Sequence, residues 1–248
     1  MHAIRLGTLT VDRAGLLYGE RPGCSMDIPV WGALLQGAGH RMLVDTGLAD
    51  PIRWSAYNPC RQEADETLPA ALAELGWKLR DIDVVINSHL HYDHCENNPV
   101  LAQAQFFVSG IEWAYARAPV PSQGWSYGAA WTGPEVTESQ YTLIGQDNYE
   151  VLPGVRVIQT PGHTPGHQSV LVDTAQGVLC VAGDAACLME NLTRPTPPTV
   201  NTSVERSLAS IRKIRASADR ILMGHDPDVA KYQCADFPEL AASAGSLS

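Results

Sequence analysis

The apolar positions of the chain change their spacing several times, and each change predicts an element. An apolar run at Val30 to Leu35, a turn at Gly37-Ala38-Gly39 and a second run at Arg41 to Val44 predict a hairpin that ends in Asp45-Thr46-Gly47. From Thr67 to Leu75 the spacing becomes helical: Leu68, Ala71, Leu72 and Leu75 share one face, Pro69 sits in the first turn, and Gly76 is the stop. A buried strand at Val84 to Ile86 runs directly into Asn87-Ser88-His89. A short strand at Phe106 to Ser109 and a helix from about Ile111 to Ala116 follow. The stretch Pro119 to Pro134, rich in Pro, Gly, Ser and aromatic residues, reads as loop.

Strands resume at Tyr149 to Leu152, Val155 to Gln159, Ser169 to Val172 and Val178 to Ala182, the first two joined by the turn Pro153-Gly154. A helix from about Val204 to Arg215 and a strand at Arg220 to Met223 close the pattern. This succession predicts an α/β (α+β) chain of two sheets packed face to face with helices outside. With 248 residues, 45% of them hydrophobic, the chain is long enough to bury a full core. It is read as a single domain over residues 1 to 248.

A formal net charge of -10 disfavours nucleic acid and anionic membranes as partners. The one basic cluster, Arg212, Lys213 and Arg215, lies at helical spacing beside apolar positions and reads as a solvated helix face. Met1 to Asp12 alternates apolar and polar residues without the continuous apolar core of a signal peptide, and nowhere does an apolar run approach the roughly 20 residues that span a bilayer. A cytoplasmic protein is expected. The cysteines at 24, 60, 95, 180, 187 and 234 show no CxxC spacing and are expected to be free and mostly buried.

Candidate chemistry concentrates in His89-Leu90-His91-Tyr92-Asp93-His94, four potential ligands in six residues. In an extended segment alternate side chains share a face, so His89, His91 and Asp93 would converge; a turn into helix would swing His94 toward a second ion. His163, Asp184 and His225 each follow a predicted strand, in Pro-Gly-His, Ala-Gly-Asp and Met-Gly-His. Imidazole and carboxylate suit zinc and its first-row neighbours. His167 reads as an orienting or structural hydrogen-bonder. Asp45 and Thr46 read either as supports for a metal-bound histidine or as a turn cap. Tyr92 falls opposite the ligands and reads as core.

The run His89-x-His91-x-Asp93-His94, with the later His, Asp and His in this order, resembles the metallo-β-lactamase superfamily. More narrowly, Asn87 to His94, Thr160-Pro-Gly-His-Thr-Pro-Gly-His-Gln-Ser169 and Met223-Gly-His-Asp226 resemble the quorum-quenching N-acyl homoserine lactonases. The likeness runs from about Pro29 to Tyr232. It implies a four-layer αββα sandwich of the metallo-β-lactamase fold and two divalent metal ions, with zinc expected. His89, His91 and His163 would hold one ion, Asp93, His94 and His225 the other, and Asp184 would bridge. By the same analogy a homodimer is a candidate assembly.

The chain departs from the lactonases twice. Cys187 stands where they carry a tyrosine three residues after the bridging aspartate, and Cys95-Glu96-Asn97 stands where they carry a small residue and two glycines. The expected partner is a small molecule with a hydrolysable carbonyl, attacked by hydroxide made available at neutral pH by the metal pair, with Asp93 or Asp184 relaying the proton. Trp125, Tyr127 and Trp131, together with Cys187, are the candidate substrate contacts. A hydroxyacylglutathione-type thioesterase shares the ligands but would carry a basic region near the C-terminus, and Ala235 to Ser248 has no Lys or Arg. A different ester or a cyclic amide stays open as substrate, and a non-catalytic metal-binding protein is the reading from another class.

Overall fold

The computed structural model describes residues 1–128 and 131–232; Cys234 and the stretch 235–248 lie outside the described residues. Two sheets form the centre. The larger contains β1 (His2–Asp12), β2 (Ser25–Gly37), β3 (His40–Val44), β4 (Cys60–Arg61), β5 (Val84–Ile86), β6 (Gln105–Ser109) and β7 (Tyr141–Ile144), in the order β4-β1-β2-β3-β5-β6-β7. The smaller contains β8 (Tyr149–Leu152), β9 (Val155–Gln159), β10 (Gln168–Thr174), β11 (Gly177–Val181) and β12 (Arg220–Leu222), in the order β12-β11-β10-β9-β8. The helices are α1 (Pro51–Trp54), α2 (Leu68–Glu74), α3 (Tyr92–Cys95), α4 (Gly110–Arg117), α5 (Met189–Thr193) and α6 (Val204–Ser217).

Strand β2 shows why the sheets stack. Its side chains are buried on both faces: Trp31, Ala33 and Leu35 join a cluster that includes Val157, Val170 and Cys180 of the smaller sheet, with Ile211 and Ile214 of α6. Ile28, Val30 and Leu34 face the other way, into a cluster with Leu68 and Leu72 of α2, Phe106 of β6 and Trp113 of α4. The layers therefore run helix, sheet, sheet, helix, as the pattern predicts.

Three elements differ from the expectation. Met1 to Asp12, noted only for its alternation, is a full strand paired antiparallel with β2 from His2↔Leu34 to Asp12↔Ser25. Its register shifts between Arg5 and Thr8, which breaks the period of two that a sequence pattern depends on. Strand β7 was not predicted; it pairs in parallel with β6 across the intervening loop. The ligand run is not extended beyond His91, because α3 begins at Tyr92.

Strand direction places the chemistry. β3 and β5 are parallel and end together at Val44 and Ile86, so Asp45 and Ser88 emerge side by side. β11 and β12 are parallel too, ending at Val181 and Leu222, and they carry Asp184 and His225 out on the same edge.

Candidate metal centre

The segments after β5, β9, β11 and β12 gather all seven predicted ligands into three overlapping groups: His89, His91 and His163; His89, His94 and Asp184; and Asp93, His94 and His225. In each group the candidate ligand atoms lie within 4.8 Å of one another. Asp93 does not join His89 and His91 as strand alternation predicted. The turn into α3 at Tyr92 carries it to the side of His94 and His225.

Four of the five imidazoles are held from behind. Asp45 accepts from the Ser88 backbone N–H (2.7 Å), from Ser88 Oγ (2.6 Å) and from His94 Nδ1 (2.8 Å). Since the Ser88 hydroxyl proton goes to Asp45, its oxygen accepts from His89 Nδ1 at 3.0 Å. His163 Nδ1 donates to the Val200 carbonyl at 2.7 Å, and His225 Nδ1 donates to the Pro29 carbonyl at 2.9 Å. In these four rings the Nδ1 proton is anchored, so each Nε2 turns a lone pair toward the others, the arrangement that metal-ligating histidines need. His91 completes the set, with its Nδ1 3.0 Å from His163 Nε2.

Asp184 lies among these lone pairs. Its Oδ1 is 3.1 Å from His225 Nε2 and 3.3 Å from His94 Nε2, and its Oδ2 is 3.4 Å from His163 Nε2. Its backbone N–H donates to His167 Nε2 at 3.0 Å. His167 must then carry its proton on Nδ1 and give it to Thr160 Oγ1 (2.9 Å), so it positions Asp184 and is itself a neutral hydrogen-bonder. Gly224 permits the approach of the two loops, because a Cβ there would sit 2.5 Å from Asp184 Oδ1.

Burial and the crowd of neighbouring imidazoles push His89 and His91 well below the ordinary histidine range, and burial does the same to His167, down to about 3. Burial also opposes charge on His94 and His225, but the carboxylates around them overcome it and raise both. Asp184 is buried as well, yet His225, His94 and His163 hold it far below the usual carboxylate range.

The residues fit divalent metal. His89 Nε2, His94 Nε2 and Asp184 Oδ1, all turned toward the cluster, are buried with no hydrogen-bond partner among the described residues. Lone pairs facing one another in a dry site repel, and a cation removes that cost.

A half-open cavity of about 80 Å³ leads onto the cluster. His91, Asp93, His163, Asp184 and His225 floor it; Leu9, Val11, Ile28 and Trp125 give it apolar walls. Of the predicted substrate contacts, Trp125 and Cys187 line this cavity. Tyr127 does not: its hydroxyl donates to Glu112 at 3.0 Å and its ring lies edge-on to His91. Trp131 lies against Trp113, and its carbonyl accepts from Tyr141. Asn58 and Tyr92 are among the lining residues not predicted as contacts. Tyr92 is core as predicted, stacked on Trp54 with centroids 4.2 Å apart, but it also lines the cavity, and its hydroxyl receives Asn58 Nδ2 at 3.3 Å.

A match to the metallo-beta-lactamase superfamily spans residues 27–225. The chain belongs to that superfamily. It is 29% identical to an N-acyl homoserine lactonase of Bacillus cereus over 258 residues, covering 96% of this chain and 97% of the relative. It is 27% identical to the N-acyl homoserine lactonase AttM of Rhizobium radiobacter, covering 92% and 93%. Among solved structures it superimposes with a TM-score of 0.79 and 27% identity on an N-acyl homoserine lactone hydrolase with the product N-hexanoyl-L-homoserine bound at its catalytic metal centre, covering 96% and 97%. The fold is thus the metallo-β-lactamase fold, and the protein is a metallo-hydrolase of this family. Among the described residues no helix is long and apolar enough to cross a membrane.

Proposed function

We propose that the protein is a dinuclear metal-dependent lactonase that opens N-acyl homoserine lactone or a related lactone. The observation that carries this reading is the position of Asp184, with one carboxylate oxygen toward His94 and His225 and the other toward His163. His89, His91 and His163 would hold one ion, Asp93, His94 and His225 the other, and Asp184 would touch both; the donor set suits Zn²⁺. Divalent ions bound there supply Lewis acidity and bring the pKa of a coordinated water toward about 7.

The chain's own residues then have separable tasks. Asp184 has both oxygens engaged in the cluster. Asp93 turns Oδ2 toward His94 and His225, each at 3.6 Å, and lines the cavity, which leaves its other oxygen to carry a proton to the departing alkoxide. Asp45 keeps His94 and, through Ser88, His89 in place. The apolar walls formed by Leu9, Val11, Ile28 and Trp125 exclude water and suit an acyl chain.

Cys187 supports a second reading. Its side chain is buried at the cavity floor, so the carbonyl contact of a tyrosine at that position has no counterpart there. A different ester, a thioester or a cyclic amide is then the substrate of the same site. Incubation with N-hexanoyl homoserine lactone followed by mass spectrometry separates the cases. The lactonase reading expects a product heavier by one water with the amide intact. Free homoserine lactone, or unchanged substrate beside turnover of another ester, overturns it.

A further inference from the structure

Glu112 is a fully buried carboxylate that the proposed chemistry does not use. It lies in the first turn of α4, and no cation pairs with it among the described residues. Its charge is instead met by donors from two directions. Oε1 accepts from the Leu90 backbone N–H at 3.1 Å and from the Tyr127 hydroxyl at 3.0 Å. Oε2 accepts from the Thr164 hydroxyl at 2.6 Å, and the Gly166 backbone N–H donates to the carboxylate as well.

The donors are not scattered. Leu90 separates His89 from His91, Thr164 follows His163, and Tyr127 lies edge-on to the His91 ring with centroids 4.7 Å apart. Gly166 sits so close to α4 that a Cβ there would collide with the Glu112 backbone nitrogen. One carboxylate therefore ties together the two loops that supply His89, His91 and His163. Among the described residues its carboxylate has no hydrogen bond to Asp93, His94 or His225; Asp45 holds His94 and the Pro29 carbonyl holds His225. A buried carboxylate without a counter-ion is costly to fold around, and an apolar side chain would pack α4 at less cost.

We propose that Glu112 is the positioning residue of the His89, His91 and His163 group, setting that group's metal affinity and leaving the Asp93, His94 and His225 group untouched. The proposal rests on the dinuclear reading above. The test uses the full chain loaded with Zn²⁺ and titrated with a competing chelator, giving one dissociation constant for each ion, beside the thermal midpoint of the metal-free protein. Glu112→Gln is expected to weaken one ion about 10–100-fold, the usual effect of losing a group that orients a ligand, and to leave the other within about twofold. Thr164→Val, which removes one hydrogen bond and folds more safely, is expected to weaken the same ion about threefold to tenfold. In a His225→Ala background the Glu112→Gln loss should persist; in a His91→Ala background it should vanish.

Equal weakening of both ions with a lower metal-free midpoint would make Glu112 a general structural residue and overturn the proposal. Unchanged affinities would overturn it as well. The wild-type stoichiometry reports separately on the dinuclear reading: a single ion in the wild type refutes two-metal chemistry, whereas the shift between wild type and variant still decides the role of Glu112.

Discussion

Replacing Asp45 with asparagine tests whether one carboxylate organises the centre from behind. Asp45 is buried, has a positive φ of 59°, and accepts three hydrogen bonds, two on Oδ2 and one on Oδ1. Asparagine tolerates the same backbone conformation, so the substitution changes charge and one acceptor and leaves the turn intact. Neither orientation of the amide works. With its NH₂ toward Ser88 N–H, two donors meet; turned the other way, the NH₂ faces His94 Nδ1–H and must compete with it.

A hydrogen bond to a charged group contributes about 1.5–3 kcal/mol, and stranding a buried donor costs a further ~1–3 kcal/mol. The folded, metal-loaded state should therefore lose about 3–6 kcal/mol, most of it as metal affinity. Because Asp45 reaches His94 directly and His89 through Ser88, both ions should weaken, each by about 10–100-fold. At 1.36 kcal/mol per decade this is about 1.4–2.7 kcal/mol per ion. The assay is chelator competition on wild type and variant with metal content read on the same samples. Two ions retained at wild-type affinity would show that Asp45 only caps its turn and would refute the reasoning.

Asp184→Ala should reduce bound metal from two ions toward one, measured by elemental analysis after dialysis; retention of two would contradict a shared ligand. Cys187→Tyr should raise the kcat/KM for N-acyl homoserine lactones if the missing hydroxyl is the main defect at that position, and no change would mean that this enzyme places its carbonyl differently. Burial raises the thiols of Cys95, Cys180 and Cys187, which keeps them protonated at pH 8. Thiol-labelling in the native protein should spare these three and reach exposed Cys24; labelling of Cys187 without unfolding would mean that the cavity opens.

The parts of the structure legible in the sequence are those with local signals. Glycine and proline punctuate the hairpins, helical spacing marks α2 and α6, and the ligands sit at strand ends beside glycines. The unpredicted parts depend on distant partners. Strand β1 loses its period of two at the irregularity between Arg5 and Thr8. Strand β7 is defined only by pairing with β6, on the far side of the loop. Asp93 changes group because α3 starts one residue earlier, which alternation cannot foresee. Glu112 resembles any solvated helix position, since nothing local announces that Leu90, Tyr127 and Thr164 will surround it. Within the Pro119 to Pro134 stretch, aromatic composition suggested three substrate contacts, and the structure brings Trp125 alone of them to the cavity.

The central claim is a two-metal lactone hydrolase, and the most direct test measures turnover and metal on one sample. The substrates would be short- and long-chain N-acyl homoserine lactones, γ-butyrolactone, a thioester and a phosphodiester. The account predicts ring opening of at least one lactone by protein holding two ions per chain, lost on chelation and restored by Zn²⁺. Lactone opening that survives complete removal of metal, or a fully loaded protein that turns over no lactone, would contradict it.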